Sequence, residues 1–315
     1  MLALLFPGQG SQFVGMGRDA FEASAAARAT FEAADDALGF SISGLCFDGP
    51  EDQLQLTENQ QPAILTTSIA LLRALEEQVE PGAAYLAGHS LGEYSALVAA
   101  QALSFEAAVR LVHARGRFMQ EAMPSGLGAM AALIGCTPEI AMEACNTVAQ
   151  ATGDVVAPAN FNSPQQTVIA GLASAVAQAC EKALELGAKR AVSLPVSAPF
   201  HCSLMEPAAE KLADELSAAD FRDAAIPVVS NVEAAPNSDA RALPGLLRAQ
   251  VTAPVRFTDM IANLTSLGVD RYLEVGPGRV LAGLLARISR RTKKANLGSI
   301  EDLSEAVAFV GKTGA

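Results

Sequence analysis

The pentapeptide Gly88-His89-Ser90-Leu91-Gly92 constrains this chain more than any other stretch of its sequence. A short apolar run, Ala83–Ala87, precedes it, and an Ala/Leu-rich stretch with helical spacing follows from Leu91 to Ala100. Strand, G-x-S-x-G and helix in that order describe a sharp strand-to-helix turn, in which two glycines let the backbone fold tightly and lift the serine out of the sheet. The same turn puts the Leu91 N–H at a helix start, where it can stabilise an oxyanion. An ordinary βα turn with Ser90 as helix cap would carry the same residues, so the serine needs a partner before it counts as a nucleophile.

The rest of the chain repeats the alternation. Residues 2–6 form an apolar run stopped by Pro7-Gly8, and a helix is expected from Met16 to Leu38. Further helices are expected near 51–56 and 62–79, and another after Ser104, a good N-cap, to about Met123. Strands alternating with helices predict an α/β fold with a largely parallel sheet. Between Pro124 and Pro195 the order changes to strand (Ala129–Ile134), helix (Pro138–Gln150), strand (Val155–Asn160), strand (Thr167–Ala170), helix (Ser174–Leu186) and strand (Ala188–Leu194). This βαββαβ order predicts a ferredoxin-like subdomain at 125–195, inserted into a larger domain made of 1–124 and 196–315. The larger domain then resumes with a helix near 204–217, a strand at 226–229, a helix near 256–267, the strand Arg271–Val275 and a final helix after Gly278.

Composition excludes several functions. The net charge is −12 and no long basic run occurs, which argues against a nucleic-acid groove. The five cysteines are scattered without a C-x-x-C pair, as in a reducing cytoplasm and unlike a disulfide frame or zinc site. No apolar run reaches about twenty residues, and the N-terminus lacks the features of a signal peptide, so a cytoplasmic, membrane-free protein is expected; a monomer is the expected state.

A serine nucleophile needs a base, and the chain has three histidines. His89 adjoins Ser90, and neighbouring side chains at such a turn diverge. His113 lies inside an expected helix. His201, in the turn-rich segment VSAPFHCSLM after a strand, is where a positioned base belongs. No acid is evident as a third member; Asp259 and Glu274 lie downstream, and a backbone carbonyl or amide could orient the imidazole instead. The glycines of PGQGSQ, at 8 and 10, do not match a dinucleotide or P-loop fingerprint. That loop could still bring a second backbone N–H beside Ser90. On these residues an acyltransferase, a serine esterase or thioesterase, and a non-catalytic acyl-binding module all remain open.

A resemblance narrows the choice. FPGQGSQ (6–12), TENQQPAI (57–64), GHSLGEYSAL (88–97), RGRFMQ (115–120), GAKRA (187–191), PVSAPFHCSLM (195–205), SNV (230–232) and EVGPG (274–278) stand in the order of the malonyl-CoA:acyl-carrier-protein transacylases. The chain resembles that family over nearly its whole length. The resemblance implies a hydrolase-like α/β core with the inserted ferredoxin-like unit. It implies Ser90 as the acylated serine, His201 as its base, and the N–H groups of Gln9 and Leu91 as the oxyanion hole. Arg115 matches the arginine that grips the malonyl carboxylate, and Gln250 the glutamine whose main chain orients the histidine. It further implies malonyl-CoA as substrate, an acyl carrier protein as partner in fatty acid or polyketide synthesis, and no cofactor or metal.

Coenzyme A and carrier proteins are both anionic, so an enzyme at −12 needs local positive charge. The family places Lys189 and Arg190 near the coenzyme A entrance, and Arg287, Arg290, Arg291, Lys293 and Lys294 form a second basic cluster. Two residues depart from the family pattern. Gln101 stands where a glycine is expected, and Phe200 where several relatives carry serine, which narrows the pocket against a branched acyl group.

Overall fold

The computed structural model describes residues 1–124, 126–196 and 198–311. Its larger sheet has six strands in the order β10-β9-β1-β2-β7-β8. They are β1 (Leu2–Phe6), β2 (Tyr85–Gly88), β7 (Val228–Val229), β8 (Pro236–Asn237), β9 (Arg271–Val275) and β10 (Lys293–Leu297). All pair in parallel except β8, which runs antiparallel to β7. Every residue of β1 is buried because both sheet faces are covered, as a central parallel strand requires. Leu2, Leu4 and Phe6 join one core and Ala3 and Leu5 the other, following the two-residue period of a strand. The register pairs Phe6 with Gly88, so the loop after β1 and the turn after β2 emerge side by side at the carboxyl edge. Ligand sites of parallel sheets form at that edge.

The segment expected to be separate contains β3 (Gly128–Ile134), β4 (Val156–Ser163), β5 (Gln166–Leu172) and β6 (Arg190–Ser193), in the order β4-β5-β3-β6. Every pairing is antiparallel. One face packs on the helices Pro138–Thr152 and Ala173–Glu185 through Ala131, Leu133, Val156 and Ile169. The other face sends Met130, Ala132, Val168 and Ala170 into the main core. The edge of β4 is covered by Val255, whose N–H reaches Ala159 (2.9 Å) and whose carbonyl takes the Phe161 N–H (2.8 Å).

The differences from the sequence expectations have local causes. The helix expected from Met16 to Leu38 is two, Arg18–Ala23 and Ala25–Leu38. Ser24 breaks it by turning extended and accepting the Ala27 N–H. Ser104 caps Phe105–Glu121 as expected. The helix after Gly278, Val280–Ile288, is not the last element, since β10 and the helix Leu303–Val310 follow. Lys293 and Lys294, in the second basic cluster, open that edge strand. Two further helices, Ile42–Asp48 and Leu243–Thr252, were not expected, and the second carries Gln250. Gln101 adopts φ 58°, the left-handed conformation in which a glycine is the unstrained residue. No helix among the described residues is long and apolar enough to cross a membrane.

Candidate active site

The turn after β2 is as tight as the pentapeptide implies. A Cβ on Gly88 would lie 1.9 Å from the Gly92 carbonyl carbon, and one on Gly92 would lie 2.1 Å from the Phe6 oxygen. Ser90 sits at φ 52°, a left-handed conformation that costs a non-glycine residue about 1–2 kcal/mol. His201 is also left-handed, at φ 62°. Strained residues persist where their surroundings over-determine them, and here the surroundings are polar and specific. Asn231 accepts the Ser90 N–H at its Oδ1 (2.6 Å) and donates from Nδ2 to the Gly88 carbonyl (2.7 Å). Gln250 donates from Nε2 to the Ser90 carbonyl (3.0 Å).

Ser90 and His201 meet although 111 positions separate them: Ser90 Oγ lies 2.8 Å from His201 Nε2. The other ring nitrogen, Nδ1, is 2.8 Å from the Gln250 carbonyl oxygen. A carbonyl only accepts, so Nδ1 carries the proton and Nε2 is left free to accept from the serine. Burial, and next the nearby Arg115 cation, lower the His201 pKa to about 3, which keeps the resting imidazole neutral with its Nε2 lone pair unprotonated. Neither downstream acid is its partner. Asp259 pairs with Arg256 at 2.9 Å, and Glu274 caps the helix Val280–Ile288 by accepting the N–H groups of Leu281 (2.9 Å) and Ala282 (2.7 Å). His89 turns away to Asn162 Oδ1 (2.8 Å) and packs on Phe257, while His113 packs on Phe40.

Arg115 is 0 % exposed and lies under the serine. Its Nη2 donates to Ser90 Oγ (3.2 Å) and to Gln250 Oε1 (2.9 Å), and its Nη1 to Gln61 Oε1 (2.6 Å). Its Nε–H has no partner among the described residues. Burial lowers its pKa, against the opposing influence of Tyr94 and Glu93. Gly116 brings it there: a Cβ at 116 would stand 2.5 Å from the Thr57 carbonyl oxygen, so only glycine lets Phe105–Glu121 approach Thr57–Glu76 this closely. Gly116→Ala is accordingly expected to destabilise the fold by about 1–3 kcal/mol through overpacking. Thermal unfolding checks this, and an unchanged melting temperature would mean that the close approach is not needed.

Gln9 stands in the loop after β1, its Nε2 donating to Gln60 Oε1 (2.6 Å). Among the described residues no protein acceptor takes the main-chain N–H of Gln9 or of Leu91. A groove of about 320 Å³ beside Gln9 is lined by Gln12, Gln55, Gln60, Thr57 and Asp52 together with the apolar Leu56, Leu194, Pro195 and Val196. Lys189, Arg287 and Arg290 share a second cleft, of about 540 Å³, with Gln165 and Ser163. Arg190, Arg291, Lys293 and Lys294 are not among that cleft's lining residues. Among the described residues no group of three or more His, Cys, Asp or Glu is placed to hold a metal.

Three polar residues of the site received no role from the sequence: Gln61, Glu93 and Asn231. All are buried, and all stand inside the quoted motifs TENQQPAI, GHSLGEYSAL and SNV, which is the signal that would single them out.

The acyl transferase domain family matches this chain over residues 3–308. The chain belongs to the acyl transferase family. The malonyl CoA-acyl carrier protein transacylase of Bacillus subtilis (strain 168) is 48 % identical over 307 residues, covering 97 % of this chain and 96 % of that one. Its counterpart in Escherichia coli (strain K12) is 48 % identical over 286 residues, 91 % of this acyl transferase and 92 % of the relative. Among solved structures, a malonyl-transacylase in complex with its type II PKS acyl-carrier protein superposes with a TM-score of 0.95 at 44 % identity, covering 98 % of this chain and 99 % of that chain.

Proposed function

We propose that this acyl transferase moves a malonyl group from malonyl-CoA to the phosphopantetheine thiol of an acyl carrier protein in fatty acid synthesis, through a malonyl ester on Ser90. The observation that carries the reading is Arg115, a buried guanidinium 3.2 Å from the Ser90 oxygen whose bonded acceptors are all neutral. A buried cation with an unused N–H and only neutral acceptors suits an acyl group that ends in a carboxylate.

In the acylation step His201 Nε2 takes the Ser90 proton as Oγ attacks the thioester carbonyl. The main-chain N–H groups of Gln9 and Leu91 stabilise the oxyanion. Collapse breaks the carbon–sulfur bond, and the coenzyme A thiolate leaves with the proton from His201. The carrier's thiol then repeats the sequence in reverse, giving ping-pong kinetics. Gln250 orients the base through its carbonyl in place of a carboxylate. No step calls on a cofactor.

The groove beside Gln9, apolar at Leu56, Leu194 and Val196 and polar at Gln12, Gln55 and Gln60, suits a pantetheine arm, and the cleft of Lys189, Arg287 and Arg290 suits phosphate. Arg190, exposed at the start of β6, follows Lys189 in the chain without lining that cleft, and adds positive charge nearby. We also assign residues 1–124 and 196–315 to a hydrolase-like domain and 125–195 to a ferredoxin-like subdomain. The parallel sheet and the antiparallel order β4-β5-β3-β6 support this.

The decisive experiment is mass spectrometry of the intact protein after exposure to malonyl-, acetyl- and methylmalonyl-CoA. A malonyl adduct on Ser90, discharged by carrier protein, is expected. Net hydrolysis without acceptor would point instead to a thioesterase. A polyketide carrier is the second reading, favoured by the carrier protein bound to the 44 % identical structure. Loading assays on the two kinds of carrier separate them.

A further inference from the structure

The site holds a second buried charge that the reaction does not use. Glu93 follows the nucleophile by three residues and is 3 % exposed. One of its oxygens, Oε2, accepts two hydrogen bonds, from Gln250 Nε2 (2.7 Å) and from the Asn231 N–H (3.1 Å). These two partners hold the rest of the centre: Asn231 the Ser90 N–H, and Gln250 the Ser90 carbonyl, the His201 ring and Arg115. Glu93 and Arg115 do not touch. The Gln250 amide lies between them, its NH₂ on Glu93 and its oxygen on Arg115.

That arrangement answers two opposed demands. A buried guanidinium is costly without a negative charge nearby. A carboxylate placed directly on Arg115 would meet that need and would also occupy the donors required for an acyl carboxylate. An intervening amide passes the stabilisation on, because both of its dipole ends point the favourable way, and leaves the guanidinium open to ligand.

We propose that Glu93 is the counter-charge of Arg115, set one amide away so that it weakens the hold on the acyl carboxylate without blocking it. The inference rests on the reading that Arg115 receives that carboxylate. With Glu93 ionised, the free site and the acetyl-bound site are neutral, and the malonyl-bound site carries one negative charge. Removing the Glu93 charge makes the malonyl-bound site the neutral one. Malonyl binding then tightens, whereas acetyl binding has no ligand charge to respond. A residue with only a structural part to play would do the reverse, weakening both ligands together.

The test measures binding without turnover, by calorimetry of malonyl-CoA and acetyl-CoA on Ser90→Ala protein at pH 8.5. That pH lies above the value of about 7 to which burial raises the Glu93 carboxyl against its bond to Gln250. Adding Glu93→Gln, which keeps an acceptor oxygen, is expected to tighten malonyl-CoA on the order of 3- to 10-fold and to leave acetyl-CoA within about twofold. Malonyl binding that is unchanged or weaker overturns the proposal. Adding Arg115→Ala instead tests the underlying reading, which fails if malonyl-CoA and acetyl-CoA lose affinity equally.

A second measurement needs no change at position 93. In Ser90→Ala protein the preference for malonyl-CoA over acetyl-CoA is expected to rise from pH 8.5 to pH 5.5 as Glu93 takes a proton. The charged groups facing Glu93 are Arg115, from Phe105–Glu121, and the exposed Glu233, from the turn after Asn231; Tyr94 adjoins it on its own helix. Glu233→Gln is the control. A preference that stays flat with pH, or a rise abolished by Glu233→Gln, counts against Glu93.

Discussion

Ser90→Ala is expected to lose malonyl transfer by roughly 10⁴-fold or more, the loss seen when a serine nucleophile that works as a unit with its base is removed. The geometry sets this size. Oγ is the atom on which three parts converge: the His201 base at 2.8 Å, the Arg115 guanidinium at 3.2 Å, and a backbone held by Asn231 and Gln250. Truncation leaves the base and the oxyanion donors in position with nothing to activate. The intact variant incubated with malonyl-CoA is the direct check. A malonyl adduct that still forms, on any residue, would falsify the assignment of Ser90, whereas weak turnover without an adduct would be attributable to the remaining donors.

Arg115→Ala is expected to lower kcat/KM for malonyl transfer on the order of 10²-fold or more, as truncating one partner of a buried hydrogen-bonded charge pair does. Acetyl transfer is expected to fall far less. The asymmetry follows from what the wild-type site does with the wrong substrate: acetyl leaves a buried guanidinium unmatched, and a site built around a polar group rejects the ligand that lacks its partner. Alanine removes that mismatch together with the grip on malonyl. Kinetics on both thioesters test it, and equal losses would strip Arg115 of its part in selectivity. Arg115→Lys is not a conservative control, because an ammonium cannot offer the planar donor edge.

Much of the fold follows from local rules that the sequence states openly. The βαββαβ order, the Ser104 cap and the strand Arg271–Val275 depend on periodicity and on capping chemistry, and the observed elements agree to within a few residues. The helix broken at Ser24 and the helix carrying Gln250 were harder to read. A serine inside an alanine run gives no sign of whether it will cap or continue, and Leu243–Thr252 owes its place to packing of Leu243, Leu247 and Val251 in the core. Gln101 is a case between these. The family pattern asks for glycine there, and the left-handed backbone states why.

The sequence by itself determined that a serine would stand on a tight strand-to-helix turn, because Gly88 and Gly92 are required by atoms only a few residues away or on the adjacent strand. It also reduced the base to one of three histidines and, through the motifs, attached an arginine to the acyl group. Only the tertiary structure decided how these parts are held. His201 is 111 positions from Ser90, and Gln250 is 135 from Arg115. Contacts over such separations depend on how the sheet brings its loops together, not on local spacing. The same holds for Glu93, whose burial beside the nucleophile no local pattern states. Which charges lie in low dielectric, and what stands between them, is a property of packing, and in this site packing sets the chemistry.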